Sequence, residues 1–182
     1  MTSRLLGALI LVQAAAAPAS HAGGSAHVKV RAVSVRQEDI HSIDGVMSAL
    51  YQVLSGPAGH AREWGRDGTL YLGDCRFIWW ETDDTGKAHM VNVDHQGAVD
   101  RLDAEMVEKG YFVREIHRVS QIWGNMAQIF STYEARETPD GAVTGRGVNS
   151  LQLVNDGKRW WIMSLAFDEE TPGHSIPREF LP

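Results

Sequence analysis

Glu115 and His117 are the acid–base pair with the most useful spacing in the chain. Two apart on an extended segment, they project to one side, where a carboxylate can orient an imidazole as a general base requires. With the Gly124-Asn125 turn setting the register, His117 falls opposite Thr132 and Glu115 opposite Glu134. Facing carboxylates raise the proton affinity of one of the two, which suits proton shuttling. The other side of the same segment competes for the interior. Ile116 and Ile122, with Ala127, Ile129 and Tyr133, make a more apolar face. If that face is the inner one, Tyr133, Ser131 and Asn149 line the pocket and His117 points outward. The Pro139-Asp140-Gly141 turn permits two registers, so both arrangements stand at this point.

Other chemistries find less support. His89, Asp94 and His95 are close in sequence but straddle a strand-to-helix junction and lack an established ligand spacing, so neither a metal nor a cofactor is expected. No Gly-x-Ser-x-Gly elbow occurs, and Gly145-x-Gly147 lies within a strand, where glycines let a sheet curl. Cys75, the single cysteine, sits among Phe77, Ile78 and two tryptophans and reads as a small buried hydrophobe. The large rings Trp64, Tyr71, Trp79, Trp80, Trp123 and Trp160 suit a pocket for a flat, partly apolar molecule. Whichever of Trp79 and Trp80 points inward, together with Trp160, is assigned to the core. Trp64 and Tyr71 are kept as ligand contacts.

These residues need elements to hold them. The segment 112–167 reads as four strands, 112–123, 126–137, 143–154 and 158–167, separated by Gly124-Asn125, Pro139-Asp140-Gly141 and Asp156-Gly157. Such separators close hairpins, Asp-Gly as a type I′ turn and Pro-Asp-Gly as a type I turn ending on a left-handed glycine. Upstream, apolar residues from Ile40 to Leu54 recur at helical spacing, predicting one helix over 36–55 with Ser34 and Gln37 at capping-box positions. Short strands are expected at 69–72, 76–81 and 87–91, and a second helix over 94–109, capped by Asn92 or Asp94 and ended by Gly110. Helices first and a meander after them imply an α+β domain, a curved antiparallel sheet wrapped on N-terminal helices.

A two-residue Asp156-Gly157 loop would pair Leu153 with Trp160 and Leu151 with Ile162, and set Asn149 beside Ser164. Trp161, Met163, Leu165 and Phe167 then cover the opposite side of the last strand. A strand apolar on both sides needs a second layer. A homodimer packed back to back through the sheet supplies one, and a tail over 171–182 laid across the back is the alternative.

Residues 1–22 form a secretory signal: Arg4, an apolar run over 5–12, then small residues at cleavage spacing. That run is shorter than the ~20 residues of a spanning helix, so no stable membrane anchor is expected. Residues 23–35 read as a flexible leader and 36–182 as the folded domain. Losing Arg4 with the signal takes the formal charge from −6 to −7, and with no basic cluster the chain is a poor nucleic-acid binder. A periplasmic or secreted location follows from the signal.

The order of elements, with Phe112-Val113-Arg114-Glu115-Ile116-His117, Phe130-Ser131-Thr132-Tyr133-Glu134, Asn149-Ser150-Leu151-Gln152-Leu153, Gly157-Lys158-Arg159-Trp160-Trp161 and the ending Ile176-Pro177-Arg178-Glu179-Phe180-Leu181-Pro182, resembles a bacterial branch of the nuclear transport factor 2-like superfamily. The resemblance covers roughly Gln37 to the C-terminus. It implies a cystatin-like cone with a pocket inside, often dimeric, among whose relatives are ketosteroid isomerases, scytalone dehydratases, SnoaL-like cyclases and plain binding modules. Matching the isomerase segment to 67–73 puts Leu72 where a catalytic aspartate would stand, with Asp74 two residues on. The expectation is a domain enclosing a small apolar or amphipathic molecule in an aromatic pocket. Proton transfer, dehydration or cyclisation would be its chemistry, with His117, Glu115 or Asp74 as catalytic residues and Trp64, Tyr71, Tyr133 and Asn149 as ligand contacts. A non-catalytic dimeric binding or assembly module is the alternative.

Overall fold

The N-terminal apolar stripe folds as two helices rather than one. In a computed structural model that describes residues 27–182, α1 spans Gln37–Ile40 and α2 spans Ile43–Leu54. The break falls at Ser42, whose backbone is extended and whose hydroxyl accepts from the Gly45 N–H at 3.0 Å. That hydroxyl satisfies one of the orphan donors of a helix start, so Ser42 is the cap in place of Ser34, and Arg36, at the N-cap position of α1, makes no side-chain cap. Gly45 is required there, because a Cβ would lie 2.2 Å from the Glu38 carbonyl oxygen. Helix α2 buries Val46, Met47, Ala49, Leu50 and Val53, each large side chain contributing about 1.5–3 kcal/mol when removed from water.

A short helix unforeseen in the sequence, α3 (Trp64–Asp67), runs into a 3-10 turn at Gly68–Leu70. Its Arg66 forms a buried two-pronged ion pair with Asp39 at 2.7 Å on both oxygens, tying α3 to α1. The first two of the three expected short strands merge into one, β1 (Tyr71–Thr82), irregular between Tyr71 and Arg76. Strand β2 (Ala88–Val93) pairs back on it, and α4 (His95–Lys109) follows, capped by Asp94 through the Gly97 N–H. Gly110, at φ 81°, ends α4 as expected. The meander is β3 (Phe112–Trp123), β4 (Met126–Arg136), β5 (Gly145–Asn155) and β6 (Trp160–Glu169).

The six strands form one curved sheet in the order β2-β1-β6-β5-β4-β3. Every pairing is antiparallel except β1 with β6, which runs parallel and joins the N-terminal hairpin to the meander. Strand β3 is therefore an edge. Two bulges decide which side chains face α2. In β3 the extra residue is Ile116, so Glu115 pairs with Tyr133, not Glu134, while His117 pairs with Thr132 as expected. The bulge sends Glu115 to the inner face and His117 to the outer one, so the two do not share a side.

In β6 the extra residue is Met163. The preceding loop is also longer than two residues: Asn155 pairs with Trp160, and the Asp156 carboxylate accepts the Lys158 and Arg159 N–H groups. Leu151 thus faces Leu165, and Asn149 faces Phe167 rather than Ser164. Leu165 and Phe167 consequently lie inside, Phe167 stacked on Trp79 with centroids 5.6 Å apart, and the outer face is less apolar than the sequence implied. The Pro139 turn also differs. Gly141 N–H donates to the Thr138 carbonyl as in a type I turn, but Gly141 is not left-handed.

The C-terminal tail crosses the outer face over β4 and β5. Phe180 packs on Phe130 with centroids 5.1 Å apart, and the Thr132 hydroxyl donates to the Phe180 carbonyl at 2.5 Å. The leader is held from its first described residues, with Val28 N–H donating to Asp100 of α4 and the Val28 carbonyl accepting from Gln96. The expected signal lies outside the described residues.

Candidate functional site

Tyr51 projects from the buried side of α2 onto the inner face of the sheet, where a phenol cannot remain without a partner. It has two. The Asn149 amide donates to its oxygen at 3.0 Å, and its own O–H reaches Ser131 Oγ at 2.6 Å. Ser131 in turn donates to Glu115 Oε1. An amide at one end and a carboxylate at the other leave one polarity for the chain: Asn149 to Tyr51 to Ser131 to Glu115. Burial pushes the Tyr51 phenol up to about 12, so it serves as a neutral link.

Glu115 is also gripped from the opposite side. Arg118 donates from Nε to Oε1 at 2.8 Å and from Nη2 to Oε2 at 2.5 Å. A three-residue separation brings two strand side chains to one face only because the Ile116 bulge supplies the extra residue. The remaining Arg118 nitrogen, Nη1, donates to Asp44 of α2 at 2.5 Å. Asp44 is 90% exposed, whereas Arg118 and Glu115 are each 21% exposed.

Over this network opens a cleft of about 470 Å³ between α2 and the β3 edge. Met47, Tyr51 and Val113 form its floor, Ser48 and Gln52 one wall, and Arg114, Glu115 and Arg118 the other. Ser55 closes one end by bonding the Val113 backbone, accepting from its N–H at 3.1 Å. The arrangement can hold an amphipathic molecule by its apolar part and meet its polar end with a fixed guanidinium and carboxylate.

Of the expected site residues, Glu115, Tyr133 and Asn149 face the interior. Tyr133 lies over Gly147, where a Cβ would come within 2.5 Å of the Tyr133 oxygen; glycine here accommodates a ring. His117, on the outer face beside Thr132, is separated from the cleft by the sheet. Asp74 is exposed on the irregular part of β1. Trp64 is buried and donates to Asp103 of α4 at 2.5 Å, which places it in the packing between α3 and α4. Tyr51, Arg118 and Asp44 were not singled out from the sequence. The signal for Tyr51 was a phenol on the apolar side of an amphipathic helix; for Arg118 it was the register set by the Gly124-Asn125 turn, which puts it opposite Ser131.

Tyr71 belongs to a second polar cluster. Its hydroxyl donates to Asp67 Oδ1 at 2.9 Å, and His95 Nε2 meets Oδ2 at 2.7 Å. Asp67 is almost fully buried, and the Tyr71, Phe77 and His95 rings pack together around it. Burial pushes the Tyr71 phenol well up, and burial followed by the charge of Asp67 pushes the Cys75 thiol up to about 12. Cys75 is thus held as an inert thiol.

No protein-family model and no curated protein matches the sequence. Solved structures do. A protein of unknown function with a cystatin-like fold from Nostoc punctiforme aligns over 70% of this chain and 88% of its own, at 9% identity and TM-score 0.53. A domain with a cystatin-like fold from the same organism aligns over 71% and 77%, at 10% identity and TM-score 0.49. A nuclear transport factor 2-like protein from Shewanella baltica aligns over 72% and 94%, at 12% identity and TM-score 0.47. At such identities the likeness speaks for architecture alone. The chain has a cystatin-like fold, a curved sheet wrapped on helices.

Proposed function

We propose that this is a small-molecule-binding domain whose ligand lies in the cleft between α2 and β3, its apolar part over Met47, Tyr51 and Val113 and its polar end at Arg118. One observation carries the reading: the cleft ends on a network in which every side chain is already positioned by a partner, the preorganisation that binding sites need. Glu115 accepts from Arg118 twice and from Ser131, so its oxygens are engaged as an anchor and not offered as a base. That favours binding over proton transfer. The signal-like segment 1–22 supports a periplasmic or secreted setting.

A homodimer through the outer face belongs to the same reading. The support for it lies at β1 and β2, where the cross-strand neighbours Trp80 and Met90 are 49% and 58% exposed, away from the tail. Native mass spectrometry of the protein purified from the periplasm tests both parts, since it reports a bound small molecule and the oligomer together. Ser48→Trp, which fills the cleft from an exposed helix position, should abolish ligand retention while leaving the melting temperature within a few degrees. Undiminished retention would place the ligand elsewhere.

A further inference from the structure

Arg118 offers two donor forks, and they are used unequally. The side-on fork, Nε with Nη2, holds both oxygens of Glu115 in the paired geometry that a guanidinium and a carboxylate favour. The end-on fork, Nη1 with the second Nη2 hydrogen, faces Asp44, which takes only Nη1 and with only one oxygen. Asp44 is 90% exposed on the first turn of α2 and lines the cleft, so swinging it into solvent uncovers the fork at little cost in packing.

We infer that Asp44 stands in for a ligand carboxylate, and that the cleft takes a monoanionic carboxylic acid with an apolar body, bound two-pronged to the end-on fork of Arg118. This rests on the reading of the cleft as a binding site. Charge selects the monoanion. With Glu115 already paired to Arg118 and Arg114 on the same wall already paired to Glu134, one more negative charge reproduces the balance that Asp44 provides, whereas a phosphate dianion would add a second charge beside Glu115. The exposed edges of the Tyr51 ring and Val113 at the floor favour an apolar body for the rest of the molecule.

The test is calorimetric titration of the full chain with 4-phenylbutyrate, with 4-phenylbutanol as its neutral counterpart and 4-phenylbutyl phosphate as the dianion. The acid should bind about tenfold or more tightly than the alcohol, from charge-assisted hydrogen bonds the alcohol cannot make. Asp44→Ala, at an exposed position that leaves the core untouched, should tighten the acid roughly three- to tenfold and the alcohol by a smaller factor, because the competitor for the fork is gone and only the acid can occupy both of its donors. Arg118→Lys keeps the charge, loses the fork, and should remove most of the preference for the acid. Equal binding of acid and alcohol, acid binding unchanged or weakened by Asp44→Ala, or tighter binding of the phosphate would overturn the inference and leave the cleft a binding site. No binding of any probe would overturn the site itself.

Discussion

Two carboxylates are fixed inside this molecule by similar partners and have opposite surroundings. Glu115 is held by an arginine and a serine that leads to a tyrosine, and Asp67 by a histidine and a tyrosine. Glu115 stands on the wall of a 470 Å³ cleft, whereas Asp67 is closed over by Tyr71, Phe77 and His95. The residue types around Asp67 look the more catalytic. Access separates the two: a buried acid with its partners in place serves packing unless a cavity reaches it. The strand positions explain the placement. Asp67 ends a short helix that α4 covers, while Glu115 lies on an edge strand that α2 covers only in part.

If Asp67 is structural, removing it should give the largest loss of stability. Asp67→Ala leaves the Tyr71 hydroxyl buried without its acceptor and takes the hydrogen-bond partner from His95 Nε2, each such loss worth about 1–3 kcal/mol for a buried group. Measured against a typical total of about 5–15 kcal/mol, that should shift the urea midpoint far down. Cleft binding per folded molecule should be unchanged. A stable Asp67→Ala protein that no longer binds ligand would break the distinction between the two clusters.

Alkaline pH probes Tyr51 from the other side. Its phenol is pushed up to about 12, against 10.0 for an unburied one. Below pH 10 the folded and unfolded chains both keep the proton, and the stabilisation is fully present. Between pH 10 and about 12 the unfolded chain releases it and the folded chain does not, so stability falls by up to about 2–3 kcal/mol from this group. Tyr71 and Tyr133 are raised as well, so the share of Tyr51 is the difference between wild type and Tyr51→Phe in urea titrations across that range. Identical slopes would mean that the phenol is not sealed in the fold.

The same variant at neutral pH should cost less, about 1–2 kcal/mol, because Asn149 and Ser131 each lose one neutral hydrogen bond but keep a neighbour close enough to adjust. Its effect on the cleft should be larger than its effect on stability. Ser131 loses the donor that holds it toward Glu115, so ligand affinity should fall several-fold by calorimetry.

How much of this was legible depended on whether a feature was periodic or local. The meander, the α4 cap at Asp94 and the stop at Gly110 follow from alternation and turn chemistry, and the structure has them. What a period of two cannot carry is an added residue. Ile116 shifts the residues before it and Met163 those after it by one, which brought Glu115 inward beside Arg118 while His117 stayed opposite Thr132, and moved Leu165 and Phe167 from the back to the core. Neither bulge contains a glycine that would have marked it. The parallel pairing of β1 with β6 was equally hidden, since it joins segments far apart in the chain. Ser131, Tyr133 and Asn149 were visible as an inner set, but the phenol that links two of them, Tyr51, lies on a helix whose stripe looked like ordinary core.

The smallest effect expected is also the one that bears most on the bulge. His117 and Glu115 are two apart, and without Ile116 as the extra residue they would act on the same ligand. Placed on the outer face opposite Thr132, the His117 side chain makes no hydrogen bond among the described residues, so His117→Ala should change stability by no more than about 0.5 kcal/mol. Ligand affinity should stay within experimental error, while Glu115→Gln, at the position two residues before it, should weaken both the Arg118 clamp and binding. A parallel loss in the two variants would put both side chains on one face, and the register of β3 would then have to run without its bulge.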